Sequence, residues 1–138
     1  MKILVAGLSG SGKTTLADKL AKKLGAEFTV ERINADEVRA LTNNWDFSID
    51  GRMRQVNELV NRCDIDKDII VCDFIAPLKD IRQTFDADYT IWLDTVQESQ
   101  YADTDALFEP IDNAHYIITH HHEENIDDLI ADIKLQLS

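Results

Sequence analysis

Eight residues constrain this chain more than any others: Gly7-Leu8-Ser9-Gly10-Ser11-Gly12-Lys13-Thr14, which fits the spacing G-x-x-x-x-G-K-S/T without exception. Both flanks suit it. The short apolar run Ile3-Leu4-Val5-Ala6 leads in and reads as a buried strand. Leu16, Ala17, Leu20, Ala21 and Leu24 then recur at three- and four-residue steps until Gly25, the stripe of an amphipathic helix with a glycine stop. A strand–loop–helix unit of this kind curls its backbone so that several N–H groups point inward at the positive end of a helix. It is a cradle for phosphate. The expected nucleotide contacts are Gly7, Leu8, Ser9, Gly10, Ser11, Gly12, Lys13, Thr14 and Thr15, with Lys13 placing its charge on the β/γ-phosphates of ATP and the Thr14 hydroxyl ligating Mg²⁺. The loop alone does not separate a kinase from a GTPase or a motor ATPase.

The rest of the chain repeats the theme. Phe28–Ile33, Ile69–Cys72, Tyr89–Leu93 and Tyr116–Ile118 are further strand-like runs. Helical patterns lie between them at Asn34–Leu41 and through Val56, Leu59, Val60 and Cys63, and a last stripe uses Ile126, Leu129, Ile130, Ile133 and Leu137. Apolar strands with little polar alternation, separated by helices, predict a mostly parallel sheet covered on both faces. The expected fold is a three-layer α/β/α sandwich, with residues 1–138 as a single domain.

Charge narrows where an anion can be held. The net charge is −12, yet residues 1–82 hold 13 basic and 13 acidic side chains, and residues 83–138 hold 13 acidic ones and a single cation, Lys134. Side-chain cations for an anionic ligand must therefore come from the first 82 residues. The acidic total also excludes an extended nucleic-acid surface. No run approaches the ~18 apolar residues of a membrane span. Cys63 and Cys72 make neither a disulfide framework nor a zinc motif, so a reducing cytoplasm is expected.

Two carboxylates are candidates to complete the site. Asp36 follows the second strand, where loops at carboxyl strand ends converge on the ligand crevice. It could take the proton of an acceptor hydroxyl or hold Mg²⁺ through water; equally, it could only cap the helix that follows. Asp73 ends the run Ile69–Cys72, the position of a carboxylate that assists Mg²⁺, and also a common position for a turn residue.

At these residues the chain resembles the adenylylsulfate kinases, P-loop kinases that transfer the γ-phosphate of ATP to the 3′-hydroxyl of adenosine 5′-phosphosulfate. Gly-Leu-Ser-Gly-Ser-Gly-Lys-Thr-Thr is the form of the loop that family uses. Its Asp-Gly-Asp-x-x-Arg segment corresponds to Asn34–Arg39, its Gly-Phe-Ser-x-x-x-Arg stretch to Asp46–Arg52, its Phe-Ile-Ser-Pro-Tyr-Arg-x-x-Arg stretch to Phe74–Arg82, and its Val-Asp-Thr to Leu93-Asp94-Thr95. The resemblance runs in order over about residues 1–95. It implies Lys13 and Asp36 as catalytic residues, with Asp36 the base or metal-water anchor. Arg39 and Arg52 would bind the phosphosulfate, Phe47 would stack on the adenine, and Ile75 and Lys79 would line the same pocket. Thr14, Asp36 and Asp73 form the candidate metal set, Asp73 by its strand-end position and not by the resemblance, since the family usually has a small residue there. A small anionic acceptor is implied, and a homodimer is allowed. Read without the family, Phe47 and Trp45 fit equally as core aromatics, and Arg39 and Arg52 as solvated surface. The alternatives are another small P-loop kinase, acting on a nucleotide, a nucleic-acid end or a small metabolite, or a non-catalytic nucleotide-binding protein.

Four departures stand out. Asn34 replaces the family's first Asp, Ala76 its Ser, and residues Gln55–Glu58 do not match its paired arginines. Residues 95–114 contain no Lys or Arg where the family carries a basic lid. Elsewhere, His120-His121-His122-Glu123-Glu124 reads as the solvated start of the last helix rather than a metal site, and Asp103-Thr104-Asp105 as a cap or turn.

Overall fold

The computed structural model describes residues 1–120 and 126–137. Five parallel strands run β1 (Lys2–Ala6), β2 (Val30–Asn34), β3 (Ile69–Phe74), β4 (Tyr89–Leu93) and β5 (Tyr116–Ile118), in the spatial order β2-β3-β1-β4-β5. The helices are α1 (Lys13–Leu24), α2 (Ala35–Thr42), α3 (Ile49–Arg62), α4 (Lys79–Phe85), α5 (Ala102–Leu107) and α6 (Asp127–Leu137). The expected sheet is therefore present, and it is parallel throughout.

Residue parity along the strands sorts the core into two layers. Ile3 and Val5 of β1, Ile69 and Val71 of β3, and Tyr89 and Ile91 of β4 face one side, where Leu16, Leu20 and Leu24 of α1 and Leu129 and Ile133 of α6 cover them. Leu4 and Ala6, with Ile70 and Cys72, face the other side, under Val38 of α2, Val56 and Leu59 of α3, and Ile81 and Phe85 of α4. Both faces of β1 and β3 are dry along Ile3–Ala6 and Ile69–Cys72, which is why those stretches read as unbroken apolar runs. Cys72 is one of these core residues, and burial raises its thiol pKa well above the ordinary value.

The same parity governs the strand ends. In β2, Val30 packs in the α1 layer and Ile33 in the opposite one, so Arg32 and Asn34 share the α1 side. In β3, Asp73 follows Ile69 and Val71 to that side as well. Asn34 and Asp73 are register partners of β2 and β3. Three polar residues thus converge beside the first turn of α1.

Two helices are additions to what the pattern predicts. α4 and α5 span seven and six residues, too short to show a stripe. Gly25 ends α1 with ordinary right-handed dihedrals (φ −64°), its N–H bonded to the Ala21 carbonyl. Asp103, Thr104 and Asp105 lie inside α5 rather than in a turn, and the Asp105 carboxylate accepts hydrogen bonds from the Ser99 amide and hydroxyl, both at 2.6 Å. Of the His120–Glu124 run, only His120 is among the described residues; 121–124 lie outside them. Among the described residues no helix is long and apolar enough to cross a membrane, and no group of three or more His, Cys, Asp or Glu is placed to hold a metal by itself.

Candidate active site

A cavity of about 1180 Å³ opens at the carboxyl ends of β1, β2 and β3, where connections in a parallel sheet converge. Its floor is the loop between β1 and α1. Gly10 and Gly12 have φ of 81° and 99°, a left-handed geometry open to glycine at little cost, and this aims the backbone amides inward. Thr95, just past β4, braces the loop from below: its Oγ1 donates to the Ser11 carbonyl at 2.8 Å. Lys13 folds over the loop with Nζ donating to the Leu8 carbonyl at 2.9 Å. Burial lowers its pKa, against the opposing pull of Asp73 and Asp36. A partly desolvated ammonium held by one carbonyl gains by exchanging that partner for phosphate oxygens.

The metal side of the cavity is built on parity. Asp73 is only 3% exposed. Thr14 Oγ1 donates to its Oδ2 at 3.0 Å, Asn34 Nδ2 lies 3.3 Å from its Oδ1, and Arg32 Nη1 lies 2.6 Å from its Oδ1. Asp73 is no turn residue; it is the buried carboxylate at the end of a central strand. Asn34 caps α2, its Oδ1 accepting from the Glu37 amide at 3.0 Å. The capping role open to Asp36 is therefore filled two residues earlier. Asp36 stands exposed on the first turn of α2 and lines the cavity. A hydroxyl with two carboxylates at one rim is a hard-oxygen donor set. It suits Mg²⁺, which needs only one or two carboxylates because phosphates and water supply its other ligands.

Across the cavity lie two arginines. Arg39 of α2 is 7% exposed and Arg52 of α3 is 6% exposed, so neither is the solvated surface residue that its sequence context permits. Both lie against one ring: their guanidinium carbons are 4.5 Å and 5.5 Å from the Phe47 centroid. Their hydrogen bonds go to neutral oxygens. Arg39 donates to the Asn44 carbonyl, and Arg52 to the Phe47 carbonyl and the Thr104 hydroxyl, each at 2.8 Å. Among the described residues neither has a carboxylate ion-pair partner. Burial lowers the pKa of both, and for Arg39 the nearby Arg52 charge lowers it further. Two buried cations in mutual repulsion form a receptor for an anion.

Phe47 and Trp45 line the cavity mouth and are more than half exposed, which removes the core-aromatic alternative. Arg52 and Gly51 also fix their loop. A side chain at Gly51 would run into the Asp46 backbone oxygen, so α3 packs against the turn ahead of it as closely as glycine permits. Ile75 lines the wall as expected. Lys79 does not: it starts α4, is exposed, and stands outside the cavity lining.

Three contributors carry no motif of their own. Arg32 touches the site only through Asp73. Gln55, one turn beyond Arg52, donates through Nε2 to the Ala35 carbonyl at 2.9 Å. Tyr101, Asp103 and Thr104 bring α5 over the cavity, and this segment supplies an acid where basic residues are missing. Strand parity would have disclosed the first, and helical spacing from Arg52 the second.

A model of the adenylylsulphate kinase family matches residues 1–97. Comparison with curated protein sequences finds no match. Among solved structures, the protein APE1195 superimposes with a TM-score of 0.79 at 20% identity, over 100% of this chain and 97% of that one. The Mycobacterium tuberculosis APS kinase CysC, in complex with AMPPNP and APS, gives 0.77 at 19% identity, over 99% and 96%. A hexameric APS kinase from Thiobacillus denitrificans gives 0.69 at 26% identity, over 99% of this chain and 28% of that one.

Proposed function

Because the chain belongs to the adenylylsulphate kinase family, and is thereby an ATP-dependent phosphotransferase, we propose that its acceptor is the 3′-hydroxyl of adenosine 5′-phosphosulfate. The observation that carries this reading is the pair Arg39 and Arg52, buried against the half-exposed Phe47 on the wall facing the phosphate loop. A doubly anionic phosphosulfate matches two cations that, among the described residues, form no ion pair with a carboxylate, although Asp36 and Asp46 act on Arg39 from further away. Phe47, half-exposed in the cavity lining, offers ring surface on which adenine would stack.

In this reading the loop amides and Lys13 hold the β- and γ-phosphates. Thr14 and Asp73, with Asp36 across the rim, would hold Mg²⁺, which supplies charge neutralisation at the β- and γ-oxygens. The acceptor hydroxyl lies near Asp36. Its oxygen forms the new bond to the γ-phosphorus, the bond from that phosphorus to the β-γ bridging oxygen breaks, and the hydroxyl proton passes to Asp36. ADP leaves with the bridging oxygen. Because α5 supplies no cation, Lys13 and the two arginines must carry most of the side-chain stabilisation of the transferring charge. The same absence favours one second reading, a P-loop kinase for a different small anion. The two free thiols, Cys63 and Cys72, suit a reducing cytoplasm, and sedimentation would decide between a monomer and a homodimer.

The decisive measurement is Mg²⁺-dependent ATP turnover against adenosine 5′-phosphosulfate, nucleoside monophosphates and 5′-hydroxyl oligonucleotides. Stimulation by the phosphosulfate, abolished in Lys13→Ala, supports the proposal. Stimulation by another acceptor alone replaces the phosphosulfate with that acceptor.

A further inference from the structure

Arg32 does not line the cavity, yet it is built into its metal side. Its Nη1 lies 2.6 Å from Asp73 Oδ1, and its Nε lies 3.0 Å from Asp18 Oδ1. Asp18 sits on α1 one turn after Thr14, and Thr14 Oγ1 donates to the other oxygen of Asp73 at 3.0 Å. The four side chains close a ring: Thr14 and Asp18 on α1, Arg32 on β2, Asp73 on β3. Arg32 takes Oδ1, which leaves Oδ2 as the oxygen shared with Thr14.

We propose that Arg32 is the positioning residue of the metal half of the site, acting through Asp73. A carboxylate buried as deeply as Asp73 costs several kcal/mol unless it is paired, so its partner also sets its rotamer. The fork of Arg32 bridges Asp18 and Asp73 at once, and this fixes the carboxylate plane relative to the first turn of α1. Asn34 adds an amide to the same carboxylate but no charge. A lysine at 32 has one ammonium group and cannot reproduce the two-sided grip. The inference rests on the reading of Asp73 as a support for Mg²⁺, and its test separates the two.

The test is binding of a non-hydrolysable ATP analogue by calorimetry, with Mg²⁺ and with EDTA, to the unaltered chain, Arg32→Gln, Arg32→Lys and Asp73→Asn. In the unaltered chain Mg²⁺ is expected to tighten binding, and no gain there overturns the inference together with the metal reading of Asp73. Arg32→Gln is expected to lose about tenfold of that metal-dependent gain, the scale typical of groups that orient metal ligands, while binding in EDTA stays within about twofold. Arg32→Lys is expected to lose a smaller part of the gain. Asp73→Asn is expected to lose at least as much as Arg32→Gln. If Asp73→Asn loses the gain and Arg32→Gln keeps it, the role of Arg32 falls alone. Equal weakening of Arg32→Gln with and without Mg²⁺ makes the residue a structural tie and overturns the inference. If Asp73→Asn keeps the gain, the reading of Asp73 falls and the inference with it. Should Arg32→Gln fail to fold, Arg32→Lys decides, and an undiminished gain in that variant rejects the proposal.

Discussion

The Arg52 guanidinium donates to the Thr104 hydroxyl at 2.8 Å, across 52 residues of chain, and so ties α3 to α5 inside a buried contact. Thr104→Val keeps the shape of the side chain and removes the acceptor. A buried donor left unpaired costs about 1–3 kcal/mol. We expect a loss of stability in that range by denaturant titration. On the proposed reading of Arg52 as an acceptor ligand, the acceptor KM should rise several-fold while the KM for ATP stays unchanged. Equal KM values for both substrates in the variant and the unaltered chain would contradict the link between α5 and the acceptor.

Gly51 gives a second prediction. Any Cβ there meets the Asp46 backbone oxygen and side chain, which in turn hold the Ser48 amide and Arg54. Gly51→Ala should push out the 46–48 turn and with it Phe47. The expected result is a raised acceptor KM, of the order of tenfold, with ATP binding in the absence of acceptor preserved. Loss of ATP affinity in the same variant would show that the turn serves the phosphate loop instead.

Lys13 sets the alkaline limit. Burial lowers its pKa in the free protein, and phosphates that bind its cation raise it again. Binding of ATP therefore takes up a proton once the pH exceeds the pKa of the free protein. The affinity is flat below that pKa and falls above it, at a pH lower than the ordinary lysine value of 10.5. Fluorescence titration of a nucleotide analogue from pH 7 up to the ordinary lysine value of 10.5 measures the limb. A constant affinity over the whole range would exclude Lys13 as the titrating contact.

Arg82 is expected to matter for stability rather than for chemistry. It donates to the carbonyls of Ala76 and Glu109 at 3.0 and 2.9 Å, so it fastens the left-handed turn at Ala76 (φ 50°) to the segment after α5. Arg82→Ala should lower stability by about 2–3 kcal/mol, since hydrogen bonds from a charged donor are among the stronger ones. The thermal midpoint should drop while the acceptor KM changes little. A large KM change with an unaltered midpoint would reverse that assignment.

The parts of the molecule legible from sequence are those where one physical demand acts alone. Strands buried on both faces must be apolar, so the run Ile69–Cys72 reads directly as the buried part of β3. The phosphate loop is legible because tight backbone curvature requires glycine. α4 and α5 are not, since helices of about two turns show no periodicity. Lys79 stands outside the cavity lining because α4 turns it outward, and likeness to a motif says nothing of which way a helix turns. Parity places Arg32 on the α1 side of β2, but its role needs the partners Asp18 and Asp73, which only the folded sheet and α1 bring to it.

The register pairing of Asn34 with Asp73 changes what the missing acid at position 34 means. In a parallel sheet, paired residues on one face are interchangeable in space while remaining 39 positions apart in the chain. A negative charge can therefore pass from one strand to its neighbour and stay at the same rim of the cavity. Position 34 carries no acid, and the buried carboxylate beside Thr14 stands on the neighbouring strand, at the same level of the sheet.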